Sequence, residues 1–336
     1  MRLTAPIPIA TAIAWLPPER ETFEAAVAAG RADEEAERDG FVELPVSRAL
    51  HAPEMAVEAG RSALASAGWT ASTLDLVLHA WTHHQGQDFW SPAHFVALGV
   101  GARAAVPIGV QQMCNGGAMA LELAAARMLA DPETRRVLVT TADRFTEPAF
   151  DRWRSDSGIA YGDAATAVLL GGDGGSFLLH AITTVAAPEL EGMHRGDEPF
   201  AAAGARRGPL DIRGRKRAFV AAHGREHVGR VTAACVRRVV DGALADAGIS
   251  AGDVRAVLLP RLGHGVVNAM YRPAFVDFDD TVVLGVGSRT GHLGAGDLAA
   301  NLAHLCLDAP LAPGDPALLL SAGGGFTWTC AVLSGR

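Results

Sequence analysis

Pro107-Ile-Gly-Val-Gln-Gln-Met-Cys114-Asn-Gly-Gly-Ala-Met-Ala-Leu-Glu-Leu-Ala is the stretch on which the fold turns. A short apolar run ends, a thiol follows, and a run of small residues begins. The pattern predicts a strand, a tight turn carrying Cys114, and a buried helix over 115–130 that is apolar on nearly all faces. A sulfur at a helix N-terminus meets unpaired backbone N–H groups and the positive end of the macrodipole, which favour a thiolate. A thiolate is the nucleophile that acyl-transfer chemistry needs. The same residue also reads as an inert core cysteine, because free cysteines are commonly buried.

The bulk numbers set the frame around that motif. With 336 residues and 49% hydrophobic content, the chain builds one large core or two in close contact. A net charge of −8 without a long basic run argues against nucleic-acid binding. No apolar run reaches the length of a membrane span, and the N-terminus lacks a signal-peptide layout, so a cytoplasmic protein is expected. Lys216 is the only lysine. Arg206, Arg207 and Arg213 to Arg217 form one basic stretch, which reads as a solvated loop or as a contact for an acidic carrier protein or a phosphate. Cys235, Cys306 and Cys330 lie in apolar runs and read as core, without metal-ligand spacing. His83 and His84 are adjacent, so on a strand they point to opposite faces, and no metal is expected there.

Helical and strand patterns alternate throughout, which predicts an α/β fold. Helices are expected over 53–68, 228–247 and 298–308, and core strands over 74–79, 137–142, 164–170, 254–259 and 282–286. Leu318–Ser321 and Trp328–Leu333 predict a closing hairpin around Gly323-Gly324-Gly325. The Gly-rich break at 171–175 divides the chain into halves at 1–175 and 176–336, with similar element order but no strict repeat. The stretch 187–215 is rich in Gly, Pro and charge and too long for a plain connection, so it reads as a lid or partner loop.

The Cys114 turn, Gly162-Asp163-Ala-Ala-Thr-Ala-Val-Leu-Leu170 and Gly323-Gly-Gly-Phe-Thr-Trp328 stand in order along the chain. Together they resemble the thiolase-fold family, specifically ketoacyl-ACP synthase III: its nucleophile elbow, its Gly-Asp strand entry and its C-terminal glycine turn. The resemblance implies two tandem pseudo-duplicated halves in α-β-α-β-α layers and a homodimer. In the condensing members, cysteine works with a histidine and an asparagine. Here Leu258-Leu-Pro260-Arg261 puts arginine where that histidine is expected, and Gly291-His292 puts histidine where the asparagine is expected. Arginine stays protonated and cannot serve as a base.

The remaining pattern resembles the acyltransferase branch of natural-product pathways, the cervimycin malonyltransferase type and the starter-unit and aromatic acyltransferases. These use a nucleophile, a histidine and an aspartate, the last two five residues apart, as His292 and Asp297 are. The resemblance implies an acyl-Cys114 intermediate, an oxyanion hole from the N–H groups of Cys114 and Gly324, and His292 as the base oriented by Asp297. The donor is expected to be an acyl-phosphopantetheine on an acyl carrier protein, or acyl-CoA, with no bound cofactor. The acceptor is expected to be a small-molecule hydroxyl or amine, or a second carrier protein.

Phe89, Trp90, Arg152 and Arg261 are candidates for substrate binding, although the aromatics also read as core or dimer packing. Ser157 stands where the CoA-using synthases carry an arginine, which favours a carrier-protein donor. Asp297 also reads as a plain helix N-cap, His292 as an ordinary loop histidine, and the triple glycine as a tight turn. Two other functions fit the same pattern: a decarboxylating condensing enzyme, and a non-catalytic docking or chain-length partner.

Overall fold

The chain starts with β1 (Arg2–Trp15) and a small hairpin of β2 (Arg20–Thr22) and β3 (Glu43–Pro45) flanking α1 (Phe23–Ala28). The first α/β run follows: α2 (Ala52–Ala67), β4 (Leu76–Ala80), α3 (Pro92–Val100), β5 (Val106–Val110), α4 (Gly116–Ala130), β6 (Arg136–Asp143) and β7 (Ala164–Gly171). A second run opens with β8 (Phe177–Ala186), α5 (Gly192–Arg195), α6 (Ile212–His223) and α7 (Arg225–Ala247). It closes with β9 (Ala256–Leu258), α8 (His264–Met270), β10 (Val282–Leu284), α9 (Asp297–Leu307), β11 (Pro316–Gly323) and β12 (Thr327–Gly335). This is a computed structural model, and it describes residues 1–200, 208–278, 281–309 and 311–336.

Strand pairing displays the duplication that the sequence only hinted at. One set runs β5-β4-β6-β7-β1 and the other β10-β9-β11-β12-β8. In each, three strands pair in parallel and two add on antiparallel. Antiparallel pairing of β1 with β8 joins the sets edge to edge, with a register shift between Arg2 and Ile7.

Three clusters of buried side chains define the layers. α2 and α3 cover the outer face of the first set, and α7 and α8 cover that of the second. Between the sets lie α4 and α9, which share one core with strands of both. Strands covered on both faces have no solvent side, and so β6 and β7 read as nearly continuous apolar runs.

The central layer dictates composition. A Cβ at Gly117 would stand 2.3 Å from the carbonyl oxygen of Ala295, so α4 reaches the loop before α9 only with a glycine there. The small residues after Cys114 are therefore a packing requirement of this layer. α4 is not buried all round, however: Leu123 and Leu129 are exposed. The 187–215 stretch is more regular than the expected lid. It holds the short α5 and the start of α6, while 201–207, including Arg206 and Arg207, lies outside the described residues.

Candidate active site

Cys114 sits in the bend between β5 and α4, one residue ahead of the N-cap Asn115. Met113 makes the bend at φ 49°, a left-handed conformation uncommon for a side-chain-bearing residue, at a cost of about 1–3 kcal/mol. Contacts within the loop and from the other half hold it. The Asn115 amide donates to Gln112 Oε1 (3.0 Å) and to Thr329 Oγ1 on β12 (2.9 Å). The glycine turn presses on the same loop: a Cβ at Gly323 would lie 2.5 Å from the Asn115 nitrogen.

His292 reaches the cysteine from the second half. Its backbone pairs with 160–162, its N–H donating to Ala160 and its carbonyl accepting from Gly162. Its Nδ1 lies 2.6 Å from Asp297 Oδ2. Cys114 lies near enough to the same ring for its charge to act on it. Burial pulls the imidazole pKa down, but the charges of Asp297 and Cys114 and the hydrogen bond to Asp297 outweigh it and lift it well above 6.5. Asp297 is pushed up by burial and drawn down further by His292, the Leu293 N–H and Arg261, so it stays below its ordinary range.

Five residues separate His292 from Asp297, and the loop folds back to join them. Asp297 is the first residue of α9 and does not cap it. Instead its carboxylate accepts from the Leu293 N–H (2.8 Å), the Arg261 N–H (2.8 Å) and the histidine. The fold-back depends on Asp143, at the end of β6 in the first half. Asp143 takes the N–H groups of Thr82 (2.8 Å), His83 (2.7 Å) and Ala295 (2.9 Å). A Cβ at Gly294, which has φ 60°, would stand 2.2 Å from its Oδ2. Burial lifts Asp143 to about 6 against the opposing pull of those N–H groups.

Other expected residues stand elsewhere. Arg152 donates to Asp163, Phe145 O, Tyr161 O and Pro45 O, a buried framework that leaves the guanidinium no role on a substrate. Asp163, from the Gly-Asp motif, completes that framework with the N–H groups of Ser47 and Phe145. Arg261 likewise donates to Asn301 Oδ1 (2.9 Å), Thr290 Oγ1 (2.9 Å) and the Val286 carbonyl, tying the loop ahead of His292 to α9. Phe89 is fully exposed, and Trp90, also at the surface, packs edge-on against Phe95. Gly324 packs against His194, whose Nδ1 a Cβ would meet at 2.3 Å.

Three residues beside the site carried no sequence signal: Asp143, His194 and Tyr161. Burial lowers His194 to about 4, and its buried Nδ1 has no partner. Each acts across the fold, at separations no local pattern encodes.

With this geometry in view, known proteins bear on the chain. Residues 108–184 match the model of 3-oxoacyl-[acyl-carrier-protein] synthase III, and 244–334 match its C-terminal model. The β-ketoacyl-[acyl-carrier-protein] synthase III of Roseiflexus castenholzii is 30% identical over 84% of this chain and 83% of its own. This chain belongs to the synthase III family. Among solved structures, ChlB3, described as an acyltransferase, superposes with a TM-score of 0.89 at 34% identity, covering 98% of both chains. The synthase III of Aquifex aeolicus superposes at 0.80 with 22% identity over 98% of this chain and 99% of its own, which shows the shared fold. On this family's fold, His292, Asp297 and Arg261 all come from the second half of the chain.

Proposed function

We propose that this synthase III-family enzyme is an acyltransferase of secondary metabolism that works through an acyl-Cys114 intermediate and forms no carbon–carbon bond. The observation that carries the reading is the His292–Asp297 pair at 2.6 Å, beside an Arg261 whose guanidinium is committed to the framework. A decarboxylating condensation needs donors to an enolate; transfer to a hydroxyl, amine or thiol needs a base, and a carboxylate-backed imidazole is one. The 34% identity to a structure described as an acyltransferase supports the same reading.

The steps follow from the charges. Cys114 attacks the donor thioester, the C–S bond to the donor breaks, and the donor thiol leaves with the proton from the His292 imidazolium. In this reading the N–H groups of Cys114 and Gly324 hold the oxyanion. Acylation removes the sulfur's charge, one of the causes that lift the His292 pKa, so His292 becomes a better base at the moment the acceptor arrives. It takes the acceptor's proton as the new bond forms and the acyl–sulfur bond breaks, which restores Cys114.

An acyl carrier protein or CoA is the donor we propose. The enzyme is also proposed to be a homodimer, because β5 is an edge strand whose Val106 and Ile108 are 56% and 42% exposed, next to exposed Phe95 and Leu98. No described helix is long and apolar enough to cross a membrane, in keeping with a cytoplasmic enzyme.

Intact mass after incubation with acyl-carrier and malonyl-carrier proteins tests the reading. An acyl adduct on wild type that is absent from Cys114→Ala and discharged by an acceptor is expected. Carbon dioxide release with a ketoacyl product overturns it in favour of condensation. No adduct with any donor favours a non-catalytic partner.

A further inference from the structure

The sole lysine of the chain stands next to the catalytic histidine through two intermediaries. Lys216 Nζ, on α6, donates to both oxygens of Asp156, at 2.7 and 2.8 Å. The Tyr161 hydroxyl donates to Asp156 Oδ2 (2.9 Å), and the Ser157 N–H to Oδ1 (2.7 Å). Tyr161 in turn packs edge-on against the His292 ring, centroids 5.2 Å apart, in the segment whose backbone pairs with His292. The Asp156 side chain is fully buried and Lys216 is 20% exposed.

An ion pair in such a place is a poor stabiliser. Desolvating two charges offsets most of their attraction, and well-packed apolar groups serve as well or better. Here one side is apolar, with Phe145 and Phe150 packed on Tyr161 at 4.8 Å each, and the other is cationic, with the Arg213 guanidinium donating to the Asp156 carbonyl at 3.2 and 3.3 Å. A charge pair set into an aromatic cluster beside a titrating base therefore points to an electrostatic purpose.

We infer that Lys216 is a positioning residue for the catalytic base: by seating α6 on Asp156 it cancels that carboxylate and, through Tyr161, holds His292 oriented and free to take the acceptor's proton. The inference rests on the acyl-transfer reading. Its logic is charge balance. His292 faces Asp297 from α9, Cys114 from the nucleophile loop, Tyr161 from its paired segment, Asp143 from β6 and His194 from α5, with Arg261 behind Asp297. Asp297 already favours the protonated ring. A second uncompensated carboxylate at Asp156 adds to that hold, and a histidine that keeps its proton is no base.

The test separates the two half-reactions. Benzoyl-pantetheine serves as donor and pantetheine as acceptor thiol, with acylation and discharge of Cys114 followed by intact mass from pH 6 to 9. Lys216→Met is expected to acylate within ~3-fold of wild type, while the rising pH limb of discharge moves up by roughly one unit and discharge at pH 7 falls ~10-fold. Lys216→Arg keeps the charge and restores the limb. Tyr161→Phe moves the limb in the same direction by less. An unmoved limb in Lys216→Met, or equal loss in Lys216→Met and Lys216→Arg, overturns the inference. If Lys216→Met does not fold, Tyr161→Phe decides by the same criterion. Absence of any acyl adduct on wild type sinks the acyl-transfer reading and this inference with it. An adduct with unmoved limbs sinks this inference alone.

Discussion

The Cys114 loop and the His292 loop are built on opposite principles. The Cys114 bend is local: an edge strand, one left-handed residue and a small-residue helix follow one another within a dozen positions. The His292–Asp297 loop is held from outside, by Asp143 of the other half, by the 160–162 segment and by the Arg261 N–H. A nucleophile has only to be exposed at a point, whereas a base has to be oriented by a third group, and orientation is a tertiary property.

The sharpest way to break that comparison is at the sulfur. Cys114→Ala removes the acyl adduct altogether; an adduct that survives in the variant places the chemistry elsewhere. His292→Ala is next, with discharge of the acyl-enzyme falling ~10²–10⁴-fold. Because His292 also stands beside the Cys114 sulfur, acylation slows too, but by less. Single-turnover rates for the two steps check this, and equal losses mean that the histidine acts chiefly on the thiol.

Gly323→Ala probes the turn that braces the Cys114 loop. Its Cβ meets the Asn115 nitrogen at 2.5 Å, so a loss of about 1–3 kcal/mol in unfolding free energy is expected, with slowed acylation. A variant as stable and as fast as wild type shows that the loop yields without cost.

Asp143→Asn tests the outside bracing by its pH signature. Burial lifts this carboxyl from 3.8 to about 6, so between those values the folded chain holds a proton that the unfolded chain releases. The stability this group contributes is present below that window and lost as pH rises through it. The variant, which cannot ionise, should therefore gain on wild type between pH 4 and pH 7, by at most about 3 kcal/mol. Urea midpoints at the two pH values measure it, and a difference that is flat or of opposite sign rules out the buried ionisable brace.

Much of the first loop was legible before the structure. The end of an apolar run, the thiol and the small residues marked strand, turn and helix, and the closing hairpin was read from Gly323 to Gly325 to within two residues at each end. Of the second loop, only the identities of His292 and Asp297 were legible. Asp297 read equally as a helix cap, because spacing alone does not say where a five-residue loop turns. The two arginines mislead for a related reason. Sequence shows a cation but not its partners, and Arg152 and Arg261 found theirs inside the protein.

What the sequence determined by itself is whatever depends on neighbours along the chain: α/β periodicity, the nucleophile turn, the glycine hairpin and the pairing of residue types that marks an acyl-handling site. Only the tertiary structure decided that Asp143 folds the His292 loop back, that His194 packs against Gly324, and that Lys216 reaches His292 through Asp156 and Tyr161. The physical reason is range. Backbone geometry and side-chain periodicity act over a few residues, whereas hydrogen bonds to buried carboxylates join positions up to 152 apart, and these set the charge and orientation of His292.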